Sequence, residues 1–263
     1  MTIEAELKFL VKGDGWKGHI DKKKHPSGLA IDQAYVADAR KSVRFGRLPN
    51  GQITLSFGMR DDGDFTPFKG GTFNLSTLDL ADDGLKPAEF FQRYDLFDEE
   101  GRIRRVKVEV TNGGGKVTTD DKDAAKIRFR ISKDIATGKE MGFLTIKGRQ
   151  LISGIGKPEL ELKVDPKDIR ALIDDKTIEK SLIQGRRIQK TRWVLSYGHK
   201  NEEWVVDEFQ GLKGTFEGQD LSKLKLAEVE FKFSDTPSWT GDPFPHTNHD
   251  IARHVAGSNR SPG

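Results

Sequence analysis

The chain reads as an α+β protein, mostly β, whose antiparallel strands close into a barrel around a charged, water-filled tunnel. Two observations carry that expectation. Seven short segments place charged residues on a strand-like pattern, most of them two apart: Glu4-x-Glu6-x-Lys8, Arg128-x-Arg130, Lys147, Glu159-x-Glu161-x-Lys163, Lys190-x-Arg192, Asp207 and Glu228-x-Glu230. The residues between them are mostly apolar, among them Ile3, Ala5, Leu7 and Phe9, Ile127, Phe129 and Ile131, Leu160 and Leu162, and Val229 and Phe231. Side chains two apart on a strand share a face, so one face is greasy and the other carries carboxylates and cations together. A single such strand belongs on an open sheet with its charge in water. Seven of them favour closure, which turns the apolar face toward helices and the charged face toward a lumen.

Composition narrows the function. Charged residues are 32% of the chain and the apolar set 35%, so the chain either stays partly disordered or puts charge to use inside the fold. The net charge is only +3, which supplies no global field for nucleic acid, and no nucleic-acid partner is expected. There is no cysteine, which excludes a disulfide scaffold, a thiolate zinc site and a cysteine nucleophile. The opening MTIEAELKFLV carries acids where a signal peptide needs a basic region, and no apolar stretch approaches the roughly 20 residues of a spanning helix. A cytoplasmic protein without membrane association is expected.

Along the chain, alternation predicts a strand over 2–11, a Gly- and Lys-rich loop over 12–30 and a short strand over Ile31–Val36. Pro49-Asn50-Gly51 is a hairpin turn between Val43–Phe45 and Gln52–Phe57. Thr72–Leu80 and Arg102–Thr111 read as strands and Pro87–Tyr94 as a helix, with Gly113–Gly115 and Asp120–Asp123 closing the stretch as a linker. Ala125–Ser132 pairs with Met141–Lys147, and Pro158–Val164 follows. Asp165-Pro166 opens a helical segment through Ser181, striped by Ile169, Leu172, Ile173 and Ile178. Arg187–Tyr197 and Glu203–Phe209 form a hairpin across Gly198, and Leu226–Phe233 is the last strand.

These strands resemble, in order, those of the CYTH domain, the triphosphate tunnel metalloenzymes. Glu4-Ala5-Glu6-Leu7-Lys8 is similar to the family's E-x-E-x-K opening, and Gln33–Val36 to its second strand. Arg128-Phe129-Arg130 resembles the paired-arginine strand, Gly142–Gly148 the lysine strand, and Glu159-Leu160-Glu161 the second acidic pair. Lys190-Thr191-Arg192, Trp204–Phe209 and Leu226–Phe231 match the remaining strands, and Pro237–Gly241 the closing segment. The chain departs from the family in three places. Lys157 stands where the family has Arg, Gly241–Phe244 lacks the family's Glu and Tyr, and residues 38–125 are inserted. The resemblance implies an eight-stranded tunnel domain over 1–37 and 126–251, with flanking helices. An inserted, mainly β subdomain occupies 38–125, and 252–263 form a disordered tail.

It further implies metal-dependent hydrolysis of a triphosphate, inorganic triphosphate foremost, with Mg²⁺ or Mn²⁺. Alternatives are class IV-type adenylyl cyclase or thiamine triphosphatase chemistry in the same tunnel, or a non-catalytic nucleotide or polyphosphate binder. Lys8, Arg128, Arg130, Lys147, Lys163, Lys190 and Arg192 are the expected triphosphate-binding cations. Glu4, Glu6, Glu159, Glu161, Asp207, Glu228 and Glu230 are the expected metal ligands, since hard cations take oxygen donors. Glu4, Glu6, Lys8 and Lys190 are the expected catalytic set. One metal is assigned to Glu4, Glu6 and Glu230, a second to Glu159 or Glu161 with Asp207 or Glu228. The expected partner is a triphosphate-containing small molecule, and the chain is expected as a monomer or homodimer.

Other residues read as structure. Trp16, Trp193, Trp204 and Trp239 are packing anchors, Lys22–Lys24 a solvated loop, and His246, His249 and His254 part of a polar tail. Gly113–Gly115 lacks the Lys-Ser/Thr and helix of a phosphate loop.

Overall fold

Alternation sets the strands of this protein, and Asp- and Gly-based turns set their ends. The computed structural model describes residues 3–61, 64–82, 84–112, 115–148, 157–196, 202–216 and 219–233. In chain order the elements are β1 (Ile3–Leu10), β2 (Leu29–Tyr35), α1 (Ala39–Ser42), β3 (Val43–Arg47), β4 (Ile53–Asp61) and β5 (Asp64–Asn74). Then come α2 (Pro87–Arg93), β6 (Arg105–Asn112), β7 (Gly115–Asp123), β8 (Ala125–Asp134), β9 (Glu140–Gly148) and β10 (Lys157–Val164). The chain continues with α3 (Pro166–Ile173), α4 (Lys176–Ile178), β11 (Arg187–Val194), β12 (Glu202–Gln210), β13 (Thr215–Phe216), β14 (Gln219–Asp220) and β15 (Lys225–Phe233). The expected mostly β, α+β class is what is found.

Eight strands pair in the order β1-β10-β9-β8-β2-β11-β12-β15, all antiparallel, in one large sheet, and β1 is hydrogen-bonded to both β15 and β10. The two flanks differ. β1 and β15 are laddered from Ile3↔Phe233 to Leu10↔Leu226. β1 and β10 share only Ile3↔Pro158 and Glu4↔Lys157, so along the rest of this seam the strands form the two margins of an eight-stranded sheet.

Alternation then sorts the faces. Ile127, Phe129, Ile131, Leu144, Ile146, Leu160 and Leu162 enter one apolar core with Ile169, Leu172 and Ile173 of α3. Val206, Ala227 and Val229 enter a second core around Trp16 and Trp204, where Trp16 meets Trp193 at 6.0 Å and Phe9 stacks on Trp204 at 6.4 Å. These tryptophans are the expected packing anchors; Trp239 lies outside the described residues.

The helical segment after β10 is not continuous. Asp165 caps α3 with Pro166 in its first turn. Asp175 then accepts from the amides of Thr177 and Ile178 and starts α4, which runs into a π turn over Glu179–Ile183. The Asp175 cap interrupts what the apolar stripe presents as one helix.

Within 38–125, β3, β4 and β5 form a three-stranded sheet and β6 and β7 a hairpin. The Pro49-Asn50-Gly51 turn is as expected, with Gly51 at φ +81°. Two expectations are corrected. β5 ends at Asn74, whose side chain caps a 3₁₀ turn over Leu75–Thr77, so no strand runs to Leu80. Asp120–Asp123 belong to β7 rather than a linker. The sheet lies against the outer, apolar side of the eight strands. Phe57 meets Phe129 at 4.7 Å, and Val43, Ile53, Leu55, Phe57, Phe73 and Phe90 share one core with β8, β9 and β10. Among the described residues no helix is long and apolar enough to cross a membrane. Gly198, the closing segment and the tail lie outside the described residues.

Candidate functional site

The charged face of the eight strands gathers into two ionic clusters. In the first, β8, β9 and β10 run side by side with Arg128 opposite Thr145 and Thr145 opposite Glu161. Arg128 Nη2 donates to Thr145 Oγ1 at 3.1 Å and to Glu161 Oε1 at 3.1 Å, and Arg130 Nη2 donates to Glu161 Oε2 at 2.7 Å. Thr145 Oγ1 donates to Glu161 Oε1 at 2.7 Å. Lys147 Nζ lies 2.9 Å from Glu159 Oε2, and Arg128 Nη2 lies 3.6 Å from Glu159 Oε1. The Arg130 guanidinium also lies over the Phe143 ring at 4.7 Å.

The second cluster spans β1, β11, β12 and β15. Arg192 grips Asp207 with Nε at 2.8 Å and Nη2 at 2.8 Å, and the same Nη2 donates to Glu228 Oε2 at 2.6 Å. Arg192 Nη1 is 3.6 Å from Glu230 Oε1. Lys190 Nζ is bonded to Asp207 Oδ2, and Lys8 Nζ to Glu228 Oε1. Asp207 is fully buried, at 0% exposure.

Protonation follows from these contacts. Burial pulls the Lys190 ammonium down to about 8, with Arg192 adding repulsion and Asp207 opposing both. Burial works to raise Asp207, but hydrogen bonds and charge from Arg192, with Lys190, hold it below the usual carboxylate range. Glu228 is likewise held low, burial being outweighed chiefly by Arg192. Burial works to lower Arg128, but Glu159 and Glu161 outweigh it and keep the guanidinium above its ordinary value. Arg130 is pushed down by burial, then by Arg128 and Arg192, against the pull of Glu161. Arg130 on β8 thus feels Arg192 on β11, across β2.

Of the expected site residues, Lys8, Arg128, Arg130, Lys147, Lys190, Arg192, Glu159, Glu161, Asp207, Glu228 and Glu230 all join one cluster or the other. Asp207, not Glu208, faces this side; Glu208 accepts from the Trp193 indole at 2.9 Å on the other face. Lys163 does not join: it sits exposed near the end of β10, opposite Phe143. The side chains of Glu4 and Glu6 lie outside the described residues; their backbones are opposite Lys232 and Glu230.

The expected second metal set draws on both clusters, with Glu159 and Glu161 in one and Asp207 and Glu228 in the other. Among the described residues no three His, Asp or Glu side chains converge on one point. The reason is visible in the ion pairs, since each of these carboxylates is drawn to an arginine or lysine instead.

Alternation of charge did not reveal the neutral members of this face. Thr145 is fully buried within the first cluster, and Gln33 Nε2 donates to Tyr35 Oη at 3.4 Å on β2, opposite Arg130 and Arg128. Their signal is parity alone: Gln33 and Tyr35 face the side opposite to the core-bound Ala34 and Val36, and Thr145 the side opposite to Leu144 and Ile146.

No family model matches the chain, and no curated protein does. Among solved structures, the chain is similar to the structure of PH1819 protein from Pyrococcus horikoshii OT3, at 15% identity and a TM-score of 0.38, over 89% of this chain and 80% of that one.

Proposed function

We propose that the protein is a metal-dependent triphosphatase, with inorganic triphosphate as its foremost substrate, working in a tunnel enclosed by the eight strands. The observation that carries this reading is the pair of ionic clusters. Lys8, Arg128, Arg130, Lys147, Lys190 and Arg192 supply cations, and five carboxylates lie among them. Charge drawn into the fold, even when paired, often costs stability relative to apolar packing, so its concentration here calls for a functional reason. Arg128 Nε and Arg130 Nε are buried without a hydrogen-bond partner, two donors suited to anionic oxygen.

The donor set fits Mg²⁺ or Mn²⁺, which take hard oxygen ligands and keep some of their water. The carboxylates that would hold it are those of one cluster or the other, Glu159 and Glu161 or Asp207, Glu228 and Glu230, with Glu4 and Glu6 from the sequence. Bound metal supplies charge neutralisation on phosphoryl oxygens and an activated water. The chain's own residues do the rest. Arg128 and Arg130 hold the triphosphate by their planar forks. Lys190 Nζ, at about 8, keeps its proton at neutral pH and offsets charge on the leaving diphosphate. Asp207, itself gripped by Arg192, holds that ammonium in place.

Purified protein is tested with tripolyphosphate, ATP, GTP and thiamine triphosphate, each with Mg²⁺ or Mn²⁺. Orthophosphate from tripolyphosphate supports the proposal. A cyclic nucleotide from ATP would replace it with a cyclase, and tight retention of ligand without product would replace it with a binder.

A further inference from the structure

We infer that Thr145 is a positioning residue that holds the Arg128–Arg130 pair and Glu161 in the arrangement that receives the phosphate chain. The inference rests on the triphosphatase reading and goes beyond the charged residues that the resemblance supplies. Thr145 lies on β9 between Arg128 on β8 and Glu161 on β10, directly opposite each. Its side chain is fully buried, yet Leu144 and Ile146 on either side turn the other way into the apolar core. The hydroxyl has two partners. It donates to Glu161 Oε1 at 2.7 Å and accepts from Arg128 Nη2 at 3.1 Å.

This places one neutral group between a carboxylate and a guanidinium that also contact each other. Glu161 accepts from both arginines, which ties up an Nη2 on each. The Nε of each arginine is left buried and unpartnered. An anion that takes these arginines must compete with Glu161. The Thr145 hydroxyl gives Glu161 a hydrogen bond that does not come from an arginine, and so it lowers the cost of releasing them. It also engages Arg128 at Nη2, while Nε stays without a partner. Without the hydroxyl, Glu161 relies on the arginines alone and holds them more firmly. A lost hydrogen bond to a buried charged group carries a penalty that falls on ligand binding here, because the apo ion pairs remain.

The test compares wild type, Thr145→Val and Thr145→Ser. Two quantities are measured: metal-free affinity for inorganic tripolyphosphate by titration calorimetry, and KM and kcat for orthophosphate release with Mg²⁺. Thr145→Val is expected to weaken tripolyphosphate binding about tenfold and to raise KM with kcat little changed, and Thr145→Ser to stay within about twofold of wild type. If the valine variant does not fold, Thr145→Ala carries the same comparison. Wild-type affinity and KM in a folded variant without the hydroxyl would overturn the inference, as would a serine variant as impaired as valine. Wild type that neither binds nor hydrolyses tripolyphosphate would instead overturn the triphosphatase reading itself.

Discussion

Arg192 is the residue on which the second cluster depends. It makes two bonds to the fully buried Asp207 and a third to Glu228. Replacing it by methionine keeps much of the packing volume and strands the Asp207 carboxylate with Lys190 alone. Loss of one partner from a buried pair costs about 3–5 kcal/mol, and Arg192→Met is expected to fall in that range by urea unfolding. Lysine at this position restores the charge without the fork and is expected to recover only part of the loss.

Asp134 accepts from His25 Nδ1 at 3.0 Å and from the Thr137 amide and hydroxyl at 2.8 and 2.9 Å, in the turn that joins β8 to β9. The hydrogen bond from His25, then those from Thr137, bring its pKa from 3.8 to about 2. A depressed carboxylate pKa means the unfolded chain binds more protons in that window, so the stability it lends is complete above 3.8 and lost as pH falls toward about 2. Asp134→Asn is expected to flatten the fall of Tm across that interval. An unchanged acid limb would contradict this role.

At the scale of elements, the inserted segment is fastened rather than hung. Phe57 of β4 meets both Phe129 of β8 and Phe73 of β5, at 4.7 and 5.8 Å. Phe57→Ala is expected to cost about 3–5 kcal/mol in a single unfolding transition. Separate melting of 38–125 and the eight strands would contradict a shared core. Gly101 is a second fastening. It adopts φ +71°, and a Cβ there would stand 2.0 Å from the Phe45 carbonyl oxygen. Gly101→Ala is therefore expected to lower Tm by several degrees, through both strain and displacement of β3.

Legibility in the sequence also divides by element. β8, β10 and β15 were readable because aliphatic and aromatic residues alternate with charge, a pattern only a strand can face both ways. α3 was readable from its Asp-Pro start and its stripe. The break before α4 was not, because Asp174 and Asp175 look like exposed helix positions until the Asp175 cap is seen. Lys163 carries the same period as Glu159 and Glu161, yet it falls near the strand end, where the alternation no longer dictates enclosure. Thr145, Gln33 and Tyr35 were silent because a search for charge passes over neutral hydrogen-bonding groups. The division of carboxylates between two clusters depends on strand order, which brings β10 beside β9 and β15 beside β12 and is not encoded in any one segment.

Across the whole molecule there are two kinds of ion pair. The inner ones make up the two clusters on the charged face of the eight strands. An outer one, Arg187 with Asp32 at 2.6 and 2.9 Å, ties β11 to β2, and Arg187 also donates to the Ile173 carbonyl at the end of α3. Both are partly or fully shielded, but only the inner set is placed to meet a polyanion. The direct measurement is orthophosphate release from tripolyphosphate with Mg²⁺ or Mn²⁺ by wild type, Glu228→Gln and Asp32→Asn. The account predicts release by wild type, a loss of about a hundredfold in Glu228→Gln, and near-wild-type rates in folded Asp32→Asn. Absence of release by wild type, or a Glu228→Gln protein as active as wild type, would contradict it.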